Sequence, residues 1–181
     1  MELLSAMSNS VAVFMLWLFV TAGISKLMPA NRDYYIEVMA GYGLVLPELA
    51  KTLPVLVGLA EIVTGVLTLI PHTRLFGVMA SVSILLIYFG VMANKVLAGE
   101  KNIRCGCSGP GVNMNVSPVL LVRNAVLIAL LIFSGMNIYS VDVDAGLWLV
   151  SIIFALIFII VSLSTEQLII NEQKIKVLKA L

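Results

Sequence analysis

The only two cysteines of the chain, Cys105 and Cys107, are separated by Gly106 in a glycine-rich segment. A disulfide needs Cα atoms within about 6.8 Å of each other, and an extended i, i+2 pair lies near or beyond that limit. Gly106 reaches backbone angles that other residues avoid, so it allows the chain to fold between the sulfurs. The closed ring would be small and strained, and strained disulfides are readily reduced. The spacing therefore indicates a reversible dithiol–disulfide pair and not a permanent cross-link.

Two other interpretations of this pair stay open. The cysteines could be two unpaired thiols in a loop, or incidental residues in a structural turn. A zinc site needs more ligands than two sulfurs, and the single histidine, His72, belongs to a hairpin that we place on the opposite face of the membrane. We therefore expect no metal site in the chain.

A second group of polar side chains lies inside apolar segments: Lys26, Glu61, Arg123 and Asn124. Ionisable groups in membrane helices are costly and usually face the bundle interior in pairs. At about 1.5 Å per residue, measured from the face that carries the cysteine loop, Lys26 lies ~3 Å deep, Arg123 ~8 Å and Glu61 ~12 Å. The depths predict one polar cluster below the cysteines. The alternative is that Lys26 and Arg123 extend to lipid phosphates, which fits Glu61 poorly.

The predicted cluster would act on the thiols through charge. Two cations against one carboxylate leave a local positive excess, to which Arg104 adds as the neighbour of Cys105. Positive charge favours the thiolate, which is the reactive form of cysteine. We therefore expect Lys26, Glu61, Arg104, Arg123 and Asn124 to support chemistry at the two cysteines.

The elements that position these residues are apolar segments of membrane-spanning length. The chain is 61% hydrophobic and 12% charged, which is too apolar for a water-soluble domain. Each run is close to the ~20 residues that cross a bilayer as a helix. The sequence predicts an all-α, polytopic membrane bundle of about five helices, residues 1–164, followed by a polar tail helix, 165–181. The five runs are residues 10–28, 53–70, 75–97, 117–135 and 145–164.

The charged residues predict what surrounds the protein and how it is oriented in the membrane. A net charge of +1 argues against nucleic acid as a partner and leaves membrane lipid as the surroundings. With five spans, the two long loops, residues 29–52 and 98–116, share one side of the membrane with the tail. That side carries ten of the eleven Lys and Arg residues. By the positive-inside rule the cysteine loop is then cytoplasmic. The ten are Lys26, Arg32, Lys51, Lys95, Lys101, Arg104, Arg123, Lys174, Lys176 and Lys179.

Four segments together resemble the DoxX-like membrane protein superfamily, and the Cys-Gly-Cys loop narrows the resemblance to its methylamine utilisation protein MauE branch. The resemblance covers residues 10–136, and the branch usually has Phe where this chain has Ser108. The segments are FVTAGISKLMP (residues 19–29), LPVLVGLAEIVTGVLTLI (53–70), RCGCSG (104–109) and SPVLLVRNAVLIALL (117–131).

The resemblance implies a four-helix DoxX-like core with a fifth transmembrane helix, and a redox-associated accessory protein of the plasma membrane. Cys105 and Cys107 would shuttle between dithiol and disulfide while a disulfide-containing client matures. They would exchange with a thioredoxin-fold protein or with a quinone, as a possible thiol–disulfide oxidoreductase. It also implies an extracytoplasmic cysteine loop, against the charge count.

Two other functions stay open beside this one. The protein could be a non-catalytic membrane scaffold that recruits a maturation partner, with cysteines that only shape the loop. It could also be a small transporter or ligand-binding bundle built around Lys26, Glu61 and Arg123.

Overall fold

The computed structural model describes residues 2–43, 49–100, 103–106, 109–110, 114–136 and 145–179. Over these residues the chain forms α-helices joined by short 3-10 turns and one isolated β-bridge, so the all-α prediction is confirmed. The α-helices are α1 (Glu2–Leu27), α2 (Arg32–Gly41), α3 (Leu53–Leu69), α4 (Arg74–Leu97), α5 (Pro118–Met136) and α6 (Ala145–Lys179).

Helices α1, α4, α5 and α6 are each long and apolar enough to cross a membrane, which confirms a multi-pass membrane protein. Helix α3 is equally apolar but has 17 residues. At about 1.5 Å per residue it is a few ångströms shorter than a ~30 Å hydrocarbon core. The crossing by α3, which would make five, therefore remains a prediction.

Two helices extend beyond the predicted segments. Helix α1 begins at Glu2, where the sequence predicted a start at residue 10. Its early polar residues, among them Ser8 and Asn9, are buried against other helices, which the hydropathy of one segment does not reveal. Helix α6 continues without a break from its apolar part into the polar tail as far as Lys179.

Helix α1 lies at the centre of the bundle and packs against α3, α5 and α6, while α4 packs between α3 and α5. Glycines allow the closest approaches. A Cβ added at Gly23 would lie 2.6 Å from the carbonyl oxygen of Gly58, and one at Gly77 would lie 2.4 Å from the backbone nitrogen of Thr68. The backbones of α1, α3 and α4 are therefore too close together for any side chain at these positions.

Arg74 joins three helices at the face opposite the cysteine loop. Its guanidinium is buried and donates to Asn9 Oδ1 at 2.7 Å, to the Ser8 carbonyl at 2.6 Å and to Ser134 Oγ at 3.1 Å. These bonds connect the start of α4 to α1 and α5. Arg74 is the one Lys or Arg that the charge count placed on this face, and it is a structural link within the bundle.

Candidate functional site

A buried ion pair between α1 and α3 forms the centre of the site. Lys26 Nζ lies 2.8 Å from both carboxylate oxygens of Glu61, and the two residues are 5% and 1% exposed. Lys26 is in the last turn of α1 and Glu61 is at the middle of α3, and the antiparallel packing of the two helices brings the side chains together. The predicted association of Lys26 with Glu61 is therefore what the structure shows.

Tyrosine rings enclose this ion pair. Tyr88 of α4 donates its hydroxyl to Glu61 Oε1 at 2.5 Å. Lys26 Nζ lies 5.6 Å from the ring centroid of Tyr35 and 5.8 Å from that of Tyr88, within cation–π range. Tyr35 is fully buried and donates to Ser25 Oγ at 2.9 Å. Four helices thus hold the charges in fixed positions away from water.

Arg123 does not join this pair, although it lines the same cavity. Its Nη2 lies 2.6 Å from Glu166 Oε1 of α6 and 3.2 Å from Ser162 Oγ. Arg104 in turn pairs with Glu37 at 3.4 Å on the exposed surface of α2. The prediction of a local excess of positive charge near the cysteines is therefore wrong, because Arg123 and Arg104 each have a carboxylate beside them.

The described part of the cysteine loop lies over the ends of α4, α5 and α6, and a β-bridge joins Arg104 to Asn115 within it. Cys105 is fully buried, and its backbone N–H donates to the Met114 carbonyl at 2.8 Å. The side chain packs in a cluster with Met92 of α4 and Leu120 of α5, together with Ile169 and Ile170 of α6. Cys107 lies outside the described residues, as does the predicted pairing of the two sulfurs.

Two helices fasten the loop to the bundle. Gln173 of α6 accepts from the Asn115 N–H at 3.0 Å and donates to the Asn115 carbonyl at 2.9 Å. From α2, Tyr34 and Tyr42 donate to the carbonyls of Cys105 and Arg104, each at 3.4 Å. The loop is therefore held between α2 and the end of α6.

Two cavities lie below the loop, and the side chains of Lys26 and Tyr88 line both. The polar cavity, about 220 Å³, extends toward α5 and α6 and includes Asn124 and Gly109 in its wall. The apolar cavity, about 340 Å³, extends toward α2 and includes Met92 and Gly106. The loop that carries the cysteines thus contributes a glycine to each cavity.

Asn124 has the most unusual environment of the predicted residues. It is 6% exposed, and its Nδ2 has no acceptor among the residues that the structure describes. The residue lines the polar cavity, but this nitrogen itself is fully enclosed by protein atoms. Within the described part of the chain, no three His, Cys, Asp or Glu side chains lie close enough together to hold a metal.

Three residues of the site, Tyr88, Glu166 and Gln173, were not predicted from the sequence. Tyr88 lies within an apolar run and was not predicted to be functional, although a hydroxyl inside a membrane helix can pair with a buried carboxylate. Glu166 and Gln173 were assigned to a separate polar tail. The continuity of α6 with that tail was the available signal, since only a helix breaker would have separated them.

The comparison with known proteins agrees with this architecture. The family model of the methylamine utilisation protein MauE matches residues 3–137. The methylamine utilization protein MauE of Paracoccus denitrificans is similar to the chain, 33% identical over 122 residues. That alignment covers 67% of this chain and 64% of the relative, so the chain spans slightly less than two thirds of the relative's length. No solved structure matches. The match to three quarters of the chain and the identity to a curated member show that it belongs to the MauE family.

Proposed function

We propose that the protein is a membrane redox accessory factor that uses Cys105 and Cys107 for thiol–disulfide exchange with a partner protein. One observation carries the proposal: the cysteine loop lies directly on a buried, charge-balanced centre and shares its cavities. Gly106, between the cysteines, lines the apolar cavity together with Lys26. Ionisable residues inside a membrane bundle are costly and commonly mark a functional site.

The burial of Cys105 divides the roles of the two cysteines. A sulfur enclosed by Met92, Leu120 and Ile170 is out of reach of another protein. We therefore assign attack on a partner disulfide to Cys107 and resolution of the mixed disulfide to Cys105. In each cycle one S–S bond is broken and one is formed, so two electrons and two protons pass between the chain and its partner.

The charged centre supports this exchange by position and not by net charge. Lys26 and Glu61 hold α1 and α3 at a fixed spacing, and Tyr88 fixes the carboxylate from α4. The loop therefore rests on a rigid platform whose polar groups are already paired. The start of α5, whose Leu120 packs against Cys105, places the positive end of its dipole near the loop, and positive potential favours thiolate.

The family supplies the cellular setting of the proposal. The relative from Paracoccus denitrificans is a methylamine utilization protein by name. We propose that this chain likewise supports methylamine utilisation, by helping a disulfide-containing client to mature together with a thioredoxin-fold protein. We place it in the plasma membrane with the cysteine loop extracytoplasmic, and the DoxX-like superfamily remains a prediction.

Thiol labelling of the wild-type chain in membranes tests the redox step. After the membranes are reduced or mildly oxidised and the protein is then unfolded in denaturing detergent, we expect two thiols to react with a mass-adding maleimide in the reduced sample and none in the oxidised one. Replacing both cysteines with serine should abolish the protein's support of its client. Labelling that never depends on redox state, or a double variant with full activity, would show that the protein is a scaffold.

A further inference from the structure

The apolar cavity lies between α2, α3 and α4, below the cysteine loop. Among the described residues of its wall the only charged side chain is Lys26, and the ammonium of that lysine is already paired with Glu61. The volume of the cavity, about 340 Å³, is at the lower end of the range of ligand pockets. The wall offers almost nothing to a polar ligand, so a hydrocarbon group is the occupant that fits it.

The cavity reaches the lipid-facing surface between α3 and α4. Ile87, which lines it, is 62% exposed and lies ten residues before the end of α4 at Leu97, or about 15 Å along the helix. On the side of the cysteine loop, α2 covers the cavity, since Tyr35 and Val38 line it and are both buried. A soluble partner therefore has no path to this space, whereas the acyl chains of membrane lipids lie beside it.

Two lysines lie beyond the end of the cavity that is nearer the aqueous face. Helices α3 and α4 are antiparallel and touch where Gly77 meets Thr68. Lys51 precedes this contact by 17 residues and Lys95 follows it by 18, so the two lysines lie at about the same level. Lys95 is paired with Glu100 at 2.9 Å, whereas the exposed Lys51 has no ion-pair partner among the described residues. This end of the cavity therefore carries a positive charge that a phosphate can neutralise.

We infer that the apolar cavity holds an acyl chain of a phospholipid with a net negative headgroup, whose phosphate lies beside Lys51. The chain fills the space under Gly106 and contacts Met92, whose sulfur lies 4.0 Å from Cys105 Sγ. The bound lipid thus supports the cysteine loop from below. The inference goes beyond the proposed function and does not depend on the redox state of the cysteines.

Thermal unfolding of the full chain in detergent tests the site. Added dioleoyl phosphatidylglycerol should raise the unfolding temperature saturably, as a ligand does when it binds only the folded chain. Dioleoyl phosphatidylcholine has the same acyl chains without the net negative charge, and about five times as much should be needed for half of the effect. Glycerol 3-phosphate, which has the charge without the chains, should have no effect. Equal potency of the two lipids, or an effect of glycerol 3-phosphate equal to that of phosphatidylglycerol, would overturn the inference.

Two pairs of variants separate the acyl chain from the headgroup. Val57→Phe fills the cavity and should abolish the effect of phosphatidylglycerol, whereas Val63→Phe, on an exposed face of α3 outside the cavity wall, should keep it. Lys51→Gln should require about fivefold more phosphatidylglycerol and leave phosphatidylcholine unaffected. Lys179→Gln, at the exposed end of α6, should change neither lipid's effect.

Either pair can contradict the inference by itself. A folded Val57→Phe chain that still responds fully to phosphatidylglycerol would overturn it, as would a Val63→Phe chain that has lost the response. Because Lys51 is exposed, Lys51→Gln decides the question even if Val57→Phe does not fold. Unchanged selectivity between the two lipids in Lys51→Gln would show that the lysine binds no headgroup.

Discussion

A lysine and a glutamate neutralise each other inside the bundle, directly below the cysteine loop. Lys26 and Glu61 are almost wholly buried, and each would be costly without the other. Tyr88 adds a hydrogen bond to the same carboxylate. The pair was predictable, because both charges lie in the half of the membrane that carries the cysteine loop and a lysine side chain can reach along its helix. Tyr88 was not, because nothing in the sequence shows which face of α4 turns toward α3.

Removing one charge of the pair should destabilise the bundle more than removing both. Glu61→Gln leaves the Lys26 ammonium buried without a carboxylate, for which we expect a loss of about 3–5 kcal/mol in unfolding free energy. Lys26→Met added to Glu61→Gln should recover much of that loss. Thermal unfolding of the three chains in detergent measures the difference, and a double variant less stable than the single one would contradict the role given to the pair.

Glycines in α1, α3 and α4 allow these helices to approach each other closely. Gly77 and Gly90 both lie in α4, but a Cβ at Gly77 would meet the backbone of α3, whereas one at Gly90 meets nothing within 4 Å. Small residues along α1 and α3 are visible in the sequence and are typical of closely packed membrane helices. The sequence did not distinguish the two glycines of α4, because that difference depends on where the end of α3 lies.

These two glycines make a matched pair of variants. Gly77→Ala should destabilise the bundle by about 1–3 kcal/mol, since backbone atoms have no room to move away. Gly90→Ala should be neutral, or stabilising by about 0.5–1 kcal/mol, because alanine favours a helix. Unfolding temperatures in the same detergent test both changes, and equal effects would show that α3 and α4 are not in backbone contact.

The end of α6 has a specific task, because Gln173 holds the cysteine loop through both backbone groups of Asn115. Gln173→Ala should increase local opening of the loop by about thirtyfold, since the two hydrogen bonds contribute roughly 1 kcal/mol each. Hydrogen exchange of the Cys105 and Val116 amides, which bond across the loop, measures that opening. The exposed Gln167 of the same helix provides the control, because Gln167→Ala should leave the exchange unchanged. Equal exchange in both variants would contradict the contact.

At the scale of the whole molecule, composition alone predicts the membrane bundle, since 61% hydrophobic residues leave no soluble alternative. The site was harder to predict. The lysine, the glutamate and the cysteine loop follow from residue types and depth. The partner of Arg123 does not, because Glu166 belongs to a segment that is polar in sequence but continuous with a membrane helix in space.

In the proposed mechanism the two cysteines form a redox pair, in which Cys105 is buried and Cys107 reacts with the partner protein. Trapping of mixed disulfides in cells tests it most directly, with Cys105→Ser and Cys107→Ser as matched variants. Cys105→Ser lacks the resolving thiol, so it should accumulate a reducible, higher-mass adduct on non-reducing gels. Cys107→Ser should show none. An adduct on Cys107→Ser alone, or on neither variant, would contradict the account.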